Sequence, residues 1–385
     1  MISILPLALL FSHSGPYEAV SRSSLNGARL ACAEINADAD FGLRIEPIEF
    51  DPAGRPEAYP ELARAALARG ITNICGCYTS SSRKEVLPEV ERQDALLWFP
   101  VHYEGFENSP NVIYSGSGPN QHMTPLIDYL TAEIGNSVCC IGSNYVWGWE
   151  SNRIMCDSIR ARGGKVLSET YLDVGVTDVA QAVETILRLR PDFVFNALIG
   201  ESSYAFIRAL RQVCVARGID QPRLLPVASC NLSEPELVLI GPEAADGHLS
   251  ASVYFAAIPG AKNRAFVEAY RAAYPDGPCV SVEAEGAYNA VHLIARAARA
   301  AGASDAAAIR KVLGEVSFDA PQGRIALDPL TQHAWLTPRI GRSRADASFE
   351  ILFESPTPVA PDPYLTRAGN RELPATSSFE LGPVR

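Results

Sequence analysis

Polar and aromatic residues gather just behind the apolar runs of this sequence. Ser12 and Ser14 follow the opening run, Tyr78, Thr79, Ser80 and Ser81 follow ITNICGC, residues 99–103 follow ALLW, and Tyr145 and Trp147 follow SVCCIGS. Hydroxyl and indole groups set in aromatic walls suit a small, polar, uncharged molecule. Each hydrogen-bonding group that such a ligand buries must find a partner or cost about 1–3 kcal/mol. Ser81 and Ser82 also open a helix-like segment whose first N–H groups are free to face a carbonyl oxygen. Catalytic signatures are missing by contrast: the sequence holds no G-x-S-x-G elbow, no G-x-x-x-x-G-K-[ST] loop and no H-E-x-x-H spacing. The six histidines are scattered with no pair at helical ligand spacing. No enzyme activity, cofactor or metal is therefore expected.

Composition narrows the classes further. The formal net charge of the 385 residues is −11 and no basic run exceeds Arg83-Lys84, so the positive surface that a phosphate backbone needs is lacking and no direct nucleic-acid contact is expected. No apolar run reaches the roughly 20 residues that span a bilayer, so no membrane partner is expected. Nine cysteines without C-x-x-C spacing read as buried free thiols of a reducing cytosol. Cys75-Gly-Cys77 offers a redox or metal pair, since successive odd strand positions face one side, although no histidine lies near it in sequence.

The elements that must position these residues alternate. Apolar runs at LRIEPIEF, ITNICGCY, ALLWFP and NVIYSG read as strands between helical patterns, and the series continues through SVCCIGS, KVLSETYL, DFVFNALIG and RLLPVAS. Repeated βα units of about 25–35 residues predict parallel sheets, and two sets of them predict an α/β protein of two doubly wound parallel-sheet lobes joined by crossovers. The expected division is residues 1–119 plus 248–324 for the first lobe, 120–247 plus 325–365 for the second, and a C-terminal tail at 366–385. Ligands of such sheets sit at the carboxyl ends of the strands, where the lobes would face each other. The opening MISILPLALLF has the length of a signal-peptide core. It lacks a positive leading segment, however, and the helix-like LNGARLACAEINA behind it needs a strand before it, so it reads as strand one.

At CGCYTSSSRKEVLPEVERQDALLWFPVHYEGFENSPNVIYSGSGPNQ the sequence resembles the AmiC-like amide-sensing regulators of aliphatic amidase operons and the urea and short-chain amide binding proteins of ABC importers. LLFSHSG, FDPAGRPEAY, IGSNYVWGWESN, DAPQG and SPTPVAPDPY extend the resemblance over nearly the whole chain. It implies a type I periplasmic-binding-protein fold with a small neutral amide or urea-like ligand between the lobes. Tyr78, Ser80 and Tyr145 match contacts of the regulators. Phe99 and Trp147 stand where the regulators have tyrosine and Val101 where they have threonine, and WFPVHYEG is closer to the urea binders. Ser229, Asn231 and Tyr254, on the facing segments, are further candidates.

The resemblance implies a cytoplasmic sensor that holds an AmiR-like antiterminator when empty, because the chain begins, as the regulators do, at strand one. The alternative is an exported, periplasmic substrate-binding component of a urea or amide importer. A homo-oligomer is compatible with either.

Overall fold

The computed structural model describes residues 3–366, and the tail expected from 366 onward lies outside them except for Thr366. Strands β1 (Ser3–Leu10), β2 (Leu43–Phe50), β3 (Asn73–Gly76), β4 (Leu96–Phe99) and β5 (Val112–Tyr114) form one sheet in the order β2-β1-β3-β4-β5, parallel throughout. The apolar opening run is a strand because it pairs on both edges and is covered on both faces. Such a strand reads as continuous hydrophobicity, whereas edge strand β2 alternates. Its register with β2 runs from Ser3 opposite Leu43 to Leu10 opposite Phe50.

The helix Glu18–Ala37 turns Leu25, Ala28, Cys32 and Ile35 to the core as its spacing predicts. It lies so close to the helix Val282–Ala301 that a Cβ on Gly27 would fall 1.9 Å from the Ala284 carbonyl oxygen. Only glycine permits that approach.

A second sheet starts with β6 (Ser137–Ser143), β7 (Lys165–Leu172), β8 (Phe193–Ala197), β9 (Val227–Ser229) and β10 (Leu249–Ser252). The small antiparallel set β11 (Ser317–Ala320), β12 (Gly323–Leu327) and β13 (Ala334–Trp335) follows, and then β14 (Arg339–Ser343) and β15 (Phe349–Glu354) complete the second sheet in the order β15-β14-β10-β9-β8-β6-β7. Its β6-to-β10 part is parallel, and β14 and β15 add an antiparallel edge. The fold is thus α/β, with two parallel-sheet lobes.

The strand pairing moves two of the expected boundaries. β10, expected in the first lobe, pairs with β9 and β14 in the second, and the chain returns to the first-lobe core only at Val253 and Tyr254. β13 and the part of β12 from Ile325 on, expected in the second lobe, pack Ile325, Leu327 and Ala334 into the first-lobe core. Both segments are short strands whose lobe is set by pairing across long sequence distances, which local pattern does not carry. Within RLLPVAS only β9 is strand, because a helical turn at Gln221–Leu224 takes the first residues. The chain therefore crosses between lobes three times: after β5, after β10 and between β13 and β14. No helix among the described residues is long and apolar enough to cross a membrane.

Candidate functional site

The carboxyl ends of the parallel strands of both sheets converge on one cleft, as the connectivity requires. The first lobe supplies Tyr78, Thr79 and Ser80 behind β3 and Val101 and His102 behind β4. The second supplies Tyr145 and Trp147 behind β6, Ile199 behind β8 and Asn231 behind β9. Together they bound one small cleft between the lobes.

Helix starts ring this cleft because each βα turn ends there. Thr79 caps the helix Ser80–Arg92, its hydroxyl accepting from the Ser82 amide at 3.1 Å. Tyr145 stands at the cap position of the helix Val146–Ala161. Two helix N-termini, one from each lobe, thus turn their positive ends to the same space.

The polar groups left free in the cleft are of both kinds. The Trp147 indole N–H is buried and has no acceptor in the protein. Burial drives the Tyr78 and Tyr145 phenols well above their ordinary range, so both keep their protons as donors. Ser80 is the counterpart: its hydroxyl donates to the Glu104 carboxylate and accepts from the Arg83 guanidinium at 3.4 Å, which leaves one lone pair of its oxygen as an acceptor. Asn231 is held in place by the Ser229 hydroxyl, which donates to its Oδ1 at 2.8 Å, while its amide donates to the Leu198 carbonyl at 2.9 Å.

Beneath Ser80 lies a buried ionic support. The Arg83 guanidinium donates to Glu104 at 2.9 Å and to Glu107 at 2.7 Å, and its carbon centre sits 4.8 Å from the ring centres of both Phe99 and Tyr103. Burial alone would raise Glu107, but Arg83 and Lys84 overcome it and hold the carboxyl at about 2. Burial lowers His102 to about 4, so its ring is neutral against Trp147.

Of the nine residues expected from the sequence, Tyr78, Ser80, Val101, Tyr145, Trp147 and Asn231 line the cleft together. Three do not. Ser229 stands behind Asn231 and orients it. Phe99, the last residue of β4, is fully buried beneath the Arg83 guanidinium. Tyr254 donates to Asn263 at 2.7 Å and packs against Phe266 within the first lobe. Thr79, His102 and Ile199 line the cleft and were not foreseen as contacts, although Thr79 and His102 fall inside the polar stretches that follow the strands.

The cysteine pair of the third strand also comes apart. β3 ends at Gly76 and Cys77 takes a left-handed φ of 68°, so Cys75 enters one core cluster and Cys77 another. Eight of the nine cysteines are buried, and Cys140 and Cys156 lie with their sulfurs 3.7 Å apart. Among the described residues no group of three or more His, Cys, Asp or Glu is placed to hold a metal ion.

A family profile described as "Periplasmic binding protein domain" matches residues 5–370. The chain is 23% identical over 342 residues to a Leu/Ile/Val-binding protein homolog 6 of Brucella abortus (strain 2308), covering 86% of this chain and 85% of that protein. A 127-residue stretch, 33% of the chain, is 28% identical to a limonene hydroxylase of Geobacillus stearothermophilus and spans only 23% of that protein. In fold, the chain superposes with a TM-score of 0.83 and 19% identity on a solute binding protein of an ABC transporter from Rhodopseudomonas palustris HaA2 in complex with p-hydroxybenzoic acid, covering 95% of this chain and 100% of that one.

Proposed function

Because the chain belongs to the periplasmic binding protein family, whose members bind ligands and are not enzymes, we propose that it takes a compact amide or urea-like molecule between its lobes as the substrate-binding component of an ABC-type importer. The observation that carries the ligand class is the pairing of an unemployed donor with an acceptor, the Trp147 indole N–H and the remaining Ser80 lone pair, in one small cleft. A carbonyl oxygen satisfies the first and an amide N–H the second.

The relatives suggest other ligands, an aromatic acid in the Rhodopseudomonas protein and branched amino acids in the Brucella one. Both kinds carry a carboxylate, which when buried requires a cation or several donors. No Lys or Arg lines this cleft, and Arg83 is consumed by Glu104 and Glu107. A carboxylate here would have to rest on the Tyr78, Tyr145 and Trp147 donors and the two helix N-termini without a counter-cation.

A molecule of roughly four heavy atoms gains at most about 6 kcal/mol at a ceiling near 1.5 kcal/mol per atom, so a Kd of tens of micromolar is the best expected. Titration calorimetry with acetamide, urea, p-hydroxybenzoate and isoleucine tests the reading. Acetamide or urea is expected to bind, and to bind about 5–30-fold more weakly after Ser80→Ala or Tyr145→Phe, a loss of about 1–2 kcal/mol each. Tightest binding by p-hydroxybenzoate or isoleucine overturns the amide reading.

A second reading, the cytoplasmic AmiC-like sensor holding an AmiR-like antiterminator, draws support from the thiols. Cys140 and Cys156 stand free with their sulfurs 3.7 Å apart, an arrangement at home where thiols are kept reduced. In that role the ligand acts only through its different affinity for two lobe arrangements. Recovery of the chain in the cytosolic fraction with an RNA-binding protein that the ligand releases favours the sensor; recovery from the periplasm favours the importer.

A further inference from the structure

A second cavity adjoins the cleft and shares Val101 and His102 with it. Two of the chain's three lobe crossings form its walls, Ser115–Ser117 on one side and Ala251–Val253 on the other, and Glu283 and Glu285 close it from the first turn of the helix Val282–Ala301. Four carboxyl groups are buried in this region, and three have structural work. Glu234 accepts from the Ala256 amide at 2.9 Å, Glu236 from the Ser233 amide at 3.1 Å in a capping box, and Glu285 from the Gln322 side-chain amide at 2.8 Å.

Glu283 is the exception. It is 1% exposed, it faces the cavity, and neither of its oxygens has a hydrogen-bond partner. The Gln322 Oε1, also in the cavity wall, is likewise an acceptor with no donor. A first-turn position gives a carboxylate some support from the helix dipole, about 0.3–1 kcal/mol, which is well short of the cost of burying a carboxylate without hydrogen bonds. No Lys or Arg lines the cavity, and the Ser281 and Ser233 hydroxyls that lie near Glu283 bring no positive charge. What fits is a compact group rich in N–H donors and carrying positive charge.

We propose that the cavity closed by Glu283 is a cation subsite of the ligand cleft, which accepts an amidinium or guanidinium group and selects these charged counterparts of amides and urea. The proposal rests on the reading of the cleft as an amide-type site and adds charge as the property selected. The planar cation lies with one edge of N–H groups on the Glu283 carboxylate in a bidentate pair, the geometry such a fork favours. Its remaining N–H groups reach the Gln322 oxygen.

The test is calorimetric titration of the intact protein with guanidinium chloride and acetamidinium chloride below 10 mM, beside urea and acetamide, in the original chain, Glu283→Gln and Glu283→Leu. Circular dichroism of each variant certifies its fold, and the leucine variant serves if the glutamine one fails to fold. The expected result is that the cations bind the original chain at least tenfold more tightly than their neutral counterparts. Both substitutions should cost the cations tenfold or more and change urea and acetamide by less than twofold. Cation affinity that Glu283→Gln leaves unchanged overturns the subsite, as does absence of cation binding while urea or acetamide binds. Failure of the cleft reading looks different: there Ser80→Ala and Tyr145→Phe leave the affinity of every ligand unchanged.

Discussion

The His102 imidazole and the Trp147 indole meet edge to face across the lobe boundary, their ring centres 4.9 Å apart. One comes from the loop behind β4 and the other from the first turn of the helix Val146–Ala161, so each lobe contributes half of a single aromatic wall. Within that wall the indole N–H is buried and unpaired.

Trp147→Phe keeps an aromatic ring near His102 and removes the indole N–H together with part of the ring's bulk. Amide or urea affinity is expected to fall about fivefold to tenfold, corresponding to about 1–1.4 kcal/mol for one lost hydrogen bond. Calorimetry reads this directly, and unaltered affinity would show that the indole donor does not meet the ligand.

Arg83 carries the first-lobe side of the site from below. Arg83→Leu leaves Glu104 and Glu107 buried without their main counter-charge, and a loss of about 3–5 kcal/mol in unfolding free energy is expected by urea denaturation. The same pair sets an acid limit. Glu107, held at about 2, gives stability that is complete above its ordinary pKa and is lost as pH falls from there towards 2. A chain whose stability is flat across that range would contradict the ion pair.

Towards alkaline pH the buried acids act in the opposite sense. Burial lifts Glu234 to about 8 and Glu285 to about 7, so the folded chain keeps protons there that the unfolded chain has released. Stability should therefore fall as pH rises, by about 1.4 kcal/mol per pH unit for each such group until its folded pKa is passed. The buried histidines, His102, His248 and His333 near 4 among them, take up protons only in the unfolded chain and act in the opposite sense up to about pH 7.5, so the decline is read above that pH. Denaturation at pH 7.5, 8.0 and 8.5 should show the decline, and Glu234→Gln should make it shallower.

Gly27→Ala tests the closest helix contact in the first lobe. The new methyl would meet the Ala284 carbonyl at 1.9 Å, so the two helices must move apart, at a cost of about 1–3 kcal/mol. A thermal melt that matches the original chain would mean that this contact is slack.

Much of this was legible from local pattern. The apolar opening run, the βα alternation and the hydroxyl and aromatic residues behind the strands all act through neighbours in sequence, and six expected contacts, Tyr78 among them, meet in the cleft. What escaped depends on distant pairing. β10 changes lobe because β9 and β14 claim its edges, and Phe99 is lost to the site because Arg83 covers its ring. Arg83, Glu104 and Glu107 lie too far apart in sequence for their pairing to be read there, and only the fold brings them together beneath Ser80. Glu283 gives no signal either, since a first-turn glutamate is the commonest way to start a helix.

The three strand-like passages between the lobes have a mechanical meaning. Covalent ties set side by side fix the spacing of the two halves and leave them a swing about one line in place of a slide, so whatever senses occupancy from outside reads an angle. Nicking one tie would leave a looser jaw, still able to find its guest yet charged a larger entropic toll each time it shuts.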